Sequence, residues 1–144
     1  MKVLFDTSIL VAALIEEHPK HERALPWLSK AKRGELEFII SSHTLAELYA
    51  VLTTLPVKPR ISPAICWRLI HENIERYAHL ISLSSKEYVS VIRRLSERGL
   101  SGGLVYDALI LKVAQKCRVE RVLTLNLKHF KRLWDGNGEI LSEP

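Results

Sequence analysis

The chain has 144 residues and a mass of 16.5 kDa, which is one ordinary domain, residues 1–144, with enough length to bury a core. Apolar residues at 47% and charged residues at 26% are globular proportions, and no run approaches the roughly 18 consecutive apolar residues that span a bilayer. The 21 Lys and Arg against 16 Asp and Glu, net +5, permit a polyanionic partner such as nucleic acid without requiring one.

The N-terminus opens on the short apolar run KVLF, which Asp6 closes before Thr7 and Ser8. That pattern reads as a buried strand turning into a helix over 9–16, with Thr7 or Ser8 as N-cap. Asp6 also cuts the run far short of a signal-peptide core, so the expected compartment is the cytoplasm. A helix is predicted over 20–32, preceded by His18 and His21 around Pro19, where a loop-to-helix junction explains the histidines better than a metal does.

A second strand, EFII, runs into SSHTLAELYAVL, whose Leu45, Leu48, Tyr49 and Leu52 fall at i, i+3, i+4, i+7 on one helix face. LPVKPRISP, with three prolines, must be a loop. Helices over 63–77 and 85–98 follow, with HLISL as a strand between them and Gly99 as the stop of the second. YDALILKVAQKC puts Leu109, Ile110, Val113, Ala114 and Cys117 on a stripe with Lys112 and Lys116 outside it, and RVLTL and EILS supply the last two strands.

Five strands separated by helical segments predict right-handed crossovers and an α/β fold: a three-layer α/β/α sandwich around a central, mainly parallel five-stranded sheet. Cys66 and Cys117 lie in apolar helical patterns with no ligand-spaced partner and read as free buried thiols. Trp27, Trp67 and Trp134 read as core or subunit-interface residues.

In open parallel sheets, ligands bind beyond the carboxyl ends of the strands where the strand order reverses. Asp6 ends the first strand, Glu47 lies in the first turns of the helix after the second, Asp107 opens the helix before the fourth, and Thr124 and Asn126 end the fourth. Each has a structural explanation taken alone: Thr44-Leu-Ala-Glu47 matches a capping box, Asp107 suits a helix N-terminus, and Thr124-Leu-Asn126 suits a turn. Together they place several carboxylates on one edge, where mutual repulsion calls for a cation. Oxygen ligands without a His or Cys pair select Mg²⁺ or Mn²⁺ over Zn²⁺, and such an ion can activate water for phosphodiester hydrolysis. His129, among Lys128, Lys131 and Arg132, is either part of an RNA-phosphate contact or of a solvated helix face.

VLFDTS, TLAELY, YDALILKVAQ and VLTLNLKHF resemble, in order and spacing, the PIN-domain nucleases, most closely the VapC-type toxins of prokaryotic toxin–antitoxin pairs. The resemblance implies a PIN-like fold and an Mg²⁺- or Mn²⁺-dependent endoribonuclease acting on RNA. It also implies a homodimer and a separately encoded antitoxin. Residue by residue, it makes Asp6, Glu47 and Asp107 the acidic metal-binding set, with Ser8 and Thr124 in supporting polar positions. Asn126 stands where the family commonly carries a fourth acid, so its amide would offer only a neutral oxygen. Two other readings compete: an RNA-binding or antitoxin-binding module of the same fold with weak catalysis, and a phosphatase or receiver domain with Asp6 as nucleophile. Ser8 argues against a haloacid-dehalogenase-type phosphatase, because it occupies the place of that motif's second Asp, and the acidic pair of a receiver is absent upstream.

Overall fold

The computed structural model describes residues 1–144. Strand β1 (Lys2–Phe5) runs straight into α1 (Thr7–Leu14), followed by α2 (His21–Lys32) and β2 (Glu37–Ser41). Helix α3 (Ser42–Thr54) leads through the proline-rich loop to α4 (Pro63–Ile70), which continues as a π-helical turn over His71–Glu75 into β3 (His79–Ile81). Helices α5 (Ser85–Glu97) and α6 (Leu104–Cys117) precede β4 (Arg121–Leu123). Helix α7 (Leu127–Leu133) and a 3-10 turn lead into β5 (Leu141–Ser142).

The strands lie in the order β3-β2-β1-β4-β5, and every pairing is parallel. Between β1 and β4 the chain changes its direction of progress across the sheet, which opens a crevice beyond the carboxyl ends of those two strands. The central strands β1, β2 and β4 are buried on both faces along most of their length, so they read as short continuous apolar runs, whereas the edge strand β3 is largely exposed. Val3, Phe5, Phe38 and Ile40 point into a core closed by α1–α4, with the Phe5 and Phe38 rings 4.7 Å apart. Leu4, Ile39 and Val122 point the opposite way, against α5, α6 and α7. Side-chain alternation along β1 and β2 thus divides the apolar residues into the two cores of a three-layer sandwich.

The structure amends several local expectations. Helix α1 begins at Thr7, so Asp6 holds the N-cap position in place of Thr7 or Ser8, and its side chain makes no cap hydrogen bond. Cys66 is buried as expected, but Cys117 is half-buried, and both thiols are free. Trp67 is exposed because α4 turns that face outward, while Trp27 and Trp134 are half-buried. His21 is not left in solvent: its Nδ1 lies 2.9 Å from the Ala12 carbonyl and ties α2 to α1. No helix is long and apolar enough to cross a membrane.

Candidate active site

Asp6 leaves β1 in extended conformation and is 2% exposed. Its Oδ2 accepts the Ser8 hydroxyl at 2.8 Å and the Thr124 hydroxyl at 2.9 Å. Both hydroxyls are themselves oriented, Ser8 Oγ by the Leu125 N–H and Thr124 Oγ1 by the Asn126 N–H, each at 2.9 Å. A hydroxyl that accepts a backbone N–H has its own proton left to donate, so the β4–α7 turn fixes both protons on one oxygen of Asp6. No side-chain hydrogen bond reaches the other oxygen, Oδ1. Burial pushes the Asp6 carboxyl above its ordinary range, against the pull of the Ser8 and Thr124 hydroxyls.

Glu47 comes from the second turn of α3. Because β2 passes directly into α3, the N-cap is Ser41, and Thr44 falls inside the first turn with its hydroxyl buried and unpartnered. The capping box that the sequence allows therefore does not form, and the Glu47 carboxylate is free to face the crevice. Burial, then the charges of Asp6 and Asp107, push its pKa up to about 7. Asp107, in the first turn of α6, is raised to about 6 by burial and by Asp6, against a lowering influence from His129. The His129 Nδ1 is 3.6 Å from Asp107 Oδ2, so this histidine addresses a site carboxylate rather than standing only in the basic cluster of α7.

Asn126 lies on the same edge at the N-cap of α7, but it is exposed and its side chain caps nothing. The structure thus joins Asp6, Ser8 and Thr124 in one hydrogen-bonded unit, sets Glu47 and Asp107 within electrostatic reach of it, and leaves the Asn126 amide at the rim. Two aromatic neighbours escape the sequence reading. His43 presents Nε2 3.4 Å from Glu47 Oε1, and its ring stacks on Tyr106, centroids 5.0 Å apart and planes within 6°. The i, i+4 spacing of His43 and Glu47 on one helix was the available signal for the first contact; the second joins two helices distant in sequence.

The donor set suits a hard divalent cation. Glu47 Oε1, Thr7 Oγ1 and His43 Nε2 are buried and make no well-formed hydrogen bond, although Glu47 lies 3.4 Å from the imidazole and close to the Thr7 hydroxyl, so these polar atoms on α1 and α3 are only weakly satisfied by one another. No three acidic, histidine or cysteine side chains form a ready-made metal cage. That is compatible with Mg²⁺, which binds through one or two carboxylates and completes its shell with water and substrate phosphate. A cleft of about 230 Å³ between α5, α6 and the C-terminal turn, lined by Leu95, Leu111, Trp134, Arg94, Arg98 and Lys112, contains none of these carboxylates.

The family model of the PIN domain matches residues 3–134, a span that includes every residue of this site. The chain belongs to the PIN-domain family. Its relatives include Ribonuclease VapC27 of Mycobacterium tuberculosis, 35% identical over 115 residues that cover 80% of this chain and 78% of the relative. Ribonuclease VapC40 of the same species is 30% identical over 123 residues, 85% of each chain. Among solved structures, Mycobacterium tuberculosis VapC20, described as a Sarcin-Ricin loop cleaving toxin, superposes with a TM-score of 0.66 at 16% identity, covering 96% of this chain and 93% of that one. VapBC2 from Rickettsia felis, bound to a promoter DNA fragment, gives a TM-score of 0.65 at 24% identity, covering 100% and 99%. At those identities the two structures speak for the PIN fold, and the family rests on the first two comparisons.

Proposed function

We propose that this chain is a metal-dependent endoribonuclease, the toxin of a toxin–antitoxin pair, working as a single PIN domain over residues 1–144. The observation that carries the reading is the convergence of the Asp6, Glu47 and Asp107 carboxylates at the β1/β4 crevice, close enough to raise one another's pKa, in a chain whose relatives are named ribonucleases. Asp6, Glu47 and Asp107 would hold Mg²⁺ or Mn²⁺. The ion supplies neutralisation of the clustered carboxylates and of charge developing on the scissile phosphodiester, and it activates water.

The remaining roles fall to the chain's own groups. Ser8 and Thr124 hold Asp6 in one orientation, so that ion binding does not have to order the side chain first. Asn126 supplies a neutral dipole at the rim. The net charge of +5 includes the acids committed to the crevice, so the rest of the surface is more basic still and attracts RNA.

An antitoxin is the proposed protein partner, since solved structures of the same fold include VapBC2 and a FitAB complex. A homodimer is proposed as well, with the exposed Val89 and Ile92 of α5 as an available apolar face. The test is cleavage of total RNA by the purified chain. Cleavage should require Mg²⁺ or Mn²⁺, stop in EDTA, and fall at least about a hundredfold in Asp107→Asn, the scale of one lost electrostatic element. Metal-independent cleavage, or full activity of that variant, overturns the reading.

A further inference from the structure

Tyr106 is 48% exposed, yet its ring is not loose. One face lies parallel on the His43 imidazole, at 5.0 Å between centroids and 6° between planes, and His43 is the more buried of the two. With that face set against the imidazole, the exposure falls on the rest of the residue. The chain's other stacked aromatic pair, Trp67 on His71, joins residues four apart along one continuous helix. His43 and Tyr106 instead come from two helices that each carry a site carboxylate: Glu47 one turn beyond His43, and Asp107 immediately after Tyr106.

An exposed tyrosine held flat from behind is a poor core residue. Much of its surface stays in water, and its rotamer freedom is already spent on the stack. The same arrangement is a good receiving surface for a second planar ring, because the ordering cost has been met before the ligand arrives. The stack ties the ring to the site: His43 Nε2 lies 3.4 Å from Glu47 Oε1 and the Tyr106 ring lies 5.0 Å from the same imidazole, so a nucleotide whose phosphate is held at the carboxylates carries its base within reach of Tyr106.

We propose that Tyr106, backed by His43, is a stacking platform for a nucleobase of single-stranded RNA next to the scissile phosphate. The inference rests on the ribonuclease reading and specifies its substrate: unpaired at this nucleotide, because a base inside a duplex offers no free face. Stacking tolerates every base, so the platform contributes affinity and positioning rather than a sequence code. His43 acts through Tyr106 as a positioning residue.

The test is metal-free binding, in EDTA, of a fluorescein-labelled random-sequence oligoribonucleotide of about twelve nucleotides, beside an abasic oligomer of the same length, read by anisotropy. Tyr106→Ala should bind the RNA about tenfold more weakly, the equivalent of one stacked base. It should bind the abasic oligomer as the wild type does. Tyr106→Leu, which keeps bulk and helix propensity but has no π face, should match Tyr106→Ala and guards against a folding defect. Tyr106→Phe should restore RNA binding to within about twofold, as a stacking role requires, whereas a hydroxyl contact would not be rescued. His43→Ala should show part of the same loss. If the wild type binds and cleaves RNA while Tyr106→Ala and Tyr106→Leu bind it equally well, the platform is refuted and this face is left for a protein contact. Equal losses toward RNA and abasic oligomer refute it too. If the wild type neither binds nor cleaves RNA, the ribonuclease reading falls and the platform with it.

Discussion

Two glutamates sit at the same spacing behind a hydroxyl residue, Thr44-Leu-Ala-Glu47 and Ser84-Ser-Lys-Glu87, and end in opposite states. Ser84 is the N-cap of α5: its Oγ accepts the Glu87 N–H at 3.2 Å, Glu87 Oε1 accepts the Ser84 N–H at 2.9 Å, and Lys116 pairs with the same oxygen at 2.9 Å. Those bonds pull the Glu87 carboxyl down to about 2. At α3 the cap falls on Ser41, so the hydroxyl and the carboxylate of the same motif both lose their reciprocal partners, and Glu47 rises to about 7. One glutamate is spent on the fold and the other is kept from it. The difference lies in where the helix begins, and a preceding strand with no intervening loop is what moves that point at α3.

The largest expected contrast is catalytic. Asp6→Asn should lower metal-dependent RNA cleavage at least about a hundredfold, while Glu87→Gln, changed on the structural side of the comparison, should leave it unaltered in the same assay. Equal losses in the two would erase the distinction between site and scaffold.

The next contrast is in pH dependence. Glu47 and Asp107 have folded-state pKa values above their ordinary ones, about 7 against 4.5 and about 6 against 3.8, so as pH rises the unfolded chain ionises them first. Metal-free stability from these groups is therefore complete in acid and is lost as pH climbs through about 7. Glu87 has the opposite sign: its contribution is present above 4.5 and is lost as pH falls toward about 2. Melting curves in EDTA should accordingly show Glu47→Gln stabilised by several degrees at pH 8 and unchanged at pH 4. Glu87→Gln should be destabilised at pH 8, with the deficit shrinking in acid. Mn²⁺ should raise the wild-type melting temperature, and more so at pH 8 than at pH 5, because ionised carboxylates bind it better.

A smaller pair of changes tests the hydroxyls. Ser84→Ala should cost about 1 kcal/mol, the usual value of a lost N-cap, or about 3 °C in melting temperature for a chain of this size. Thr44→Val replaces a buried hydroxyl that has no partner, so it should be neutral or slightly stabilising in the same melt.

Asn126 should give the smallest effect. Its exposed amide lies at the rim, so Asn126→Ala should reduce cleavage less than Asp6→Asn does, and Asn126→Asp should tighten Mn²⁺ binding measured by calorimetry. Unchanged affinity in Asn126→Asp would place this side chain outside the site.

The sheet, its parallel sense and its layering were legible because each strand is a short apolar run between helices of clear period. Asp6, Thr124 and Asp107 were legible because their positions follow from strand ends and one helix start. What the chain alone could not fix was the state of each group. Thr44 and Glu47 satisfy a motif that only the placement of Ser41 disqualifies, and Ser8 reads as a cap until Asp6 is seen to hold that place. The His43–Tyr106 stack and the His129–Asp107 contact join separate helices, and helix-to-helix geometry leaves no local pattern in the sequence.

The central claim is that Asp6, Glu47 and Asp107 share a divalent ion, and Mn²⁺ titration by calorimetry at pH 8 tests it most directly. The account predicts saturable binding to the wild type, weakened at least about tenfold in Asp6→Asn, where one charged ligand is lost, with Glu87→Gln indistinguishable from the wild type. No binding to the wild type, or equal affinity in Asp6→Asn, would contradict it.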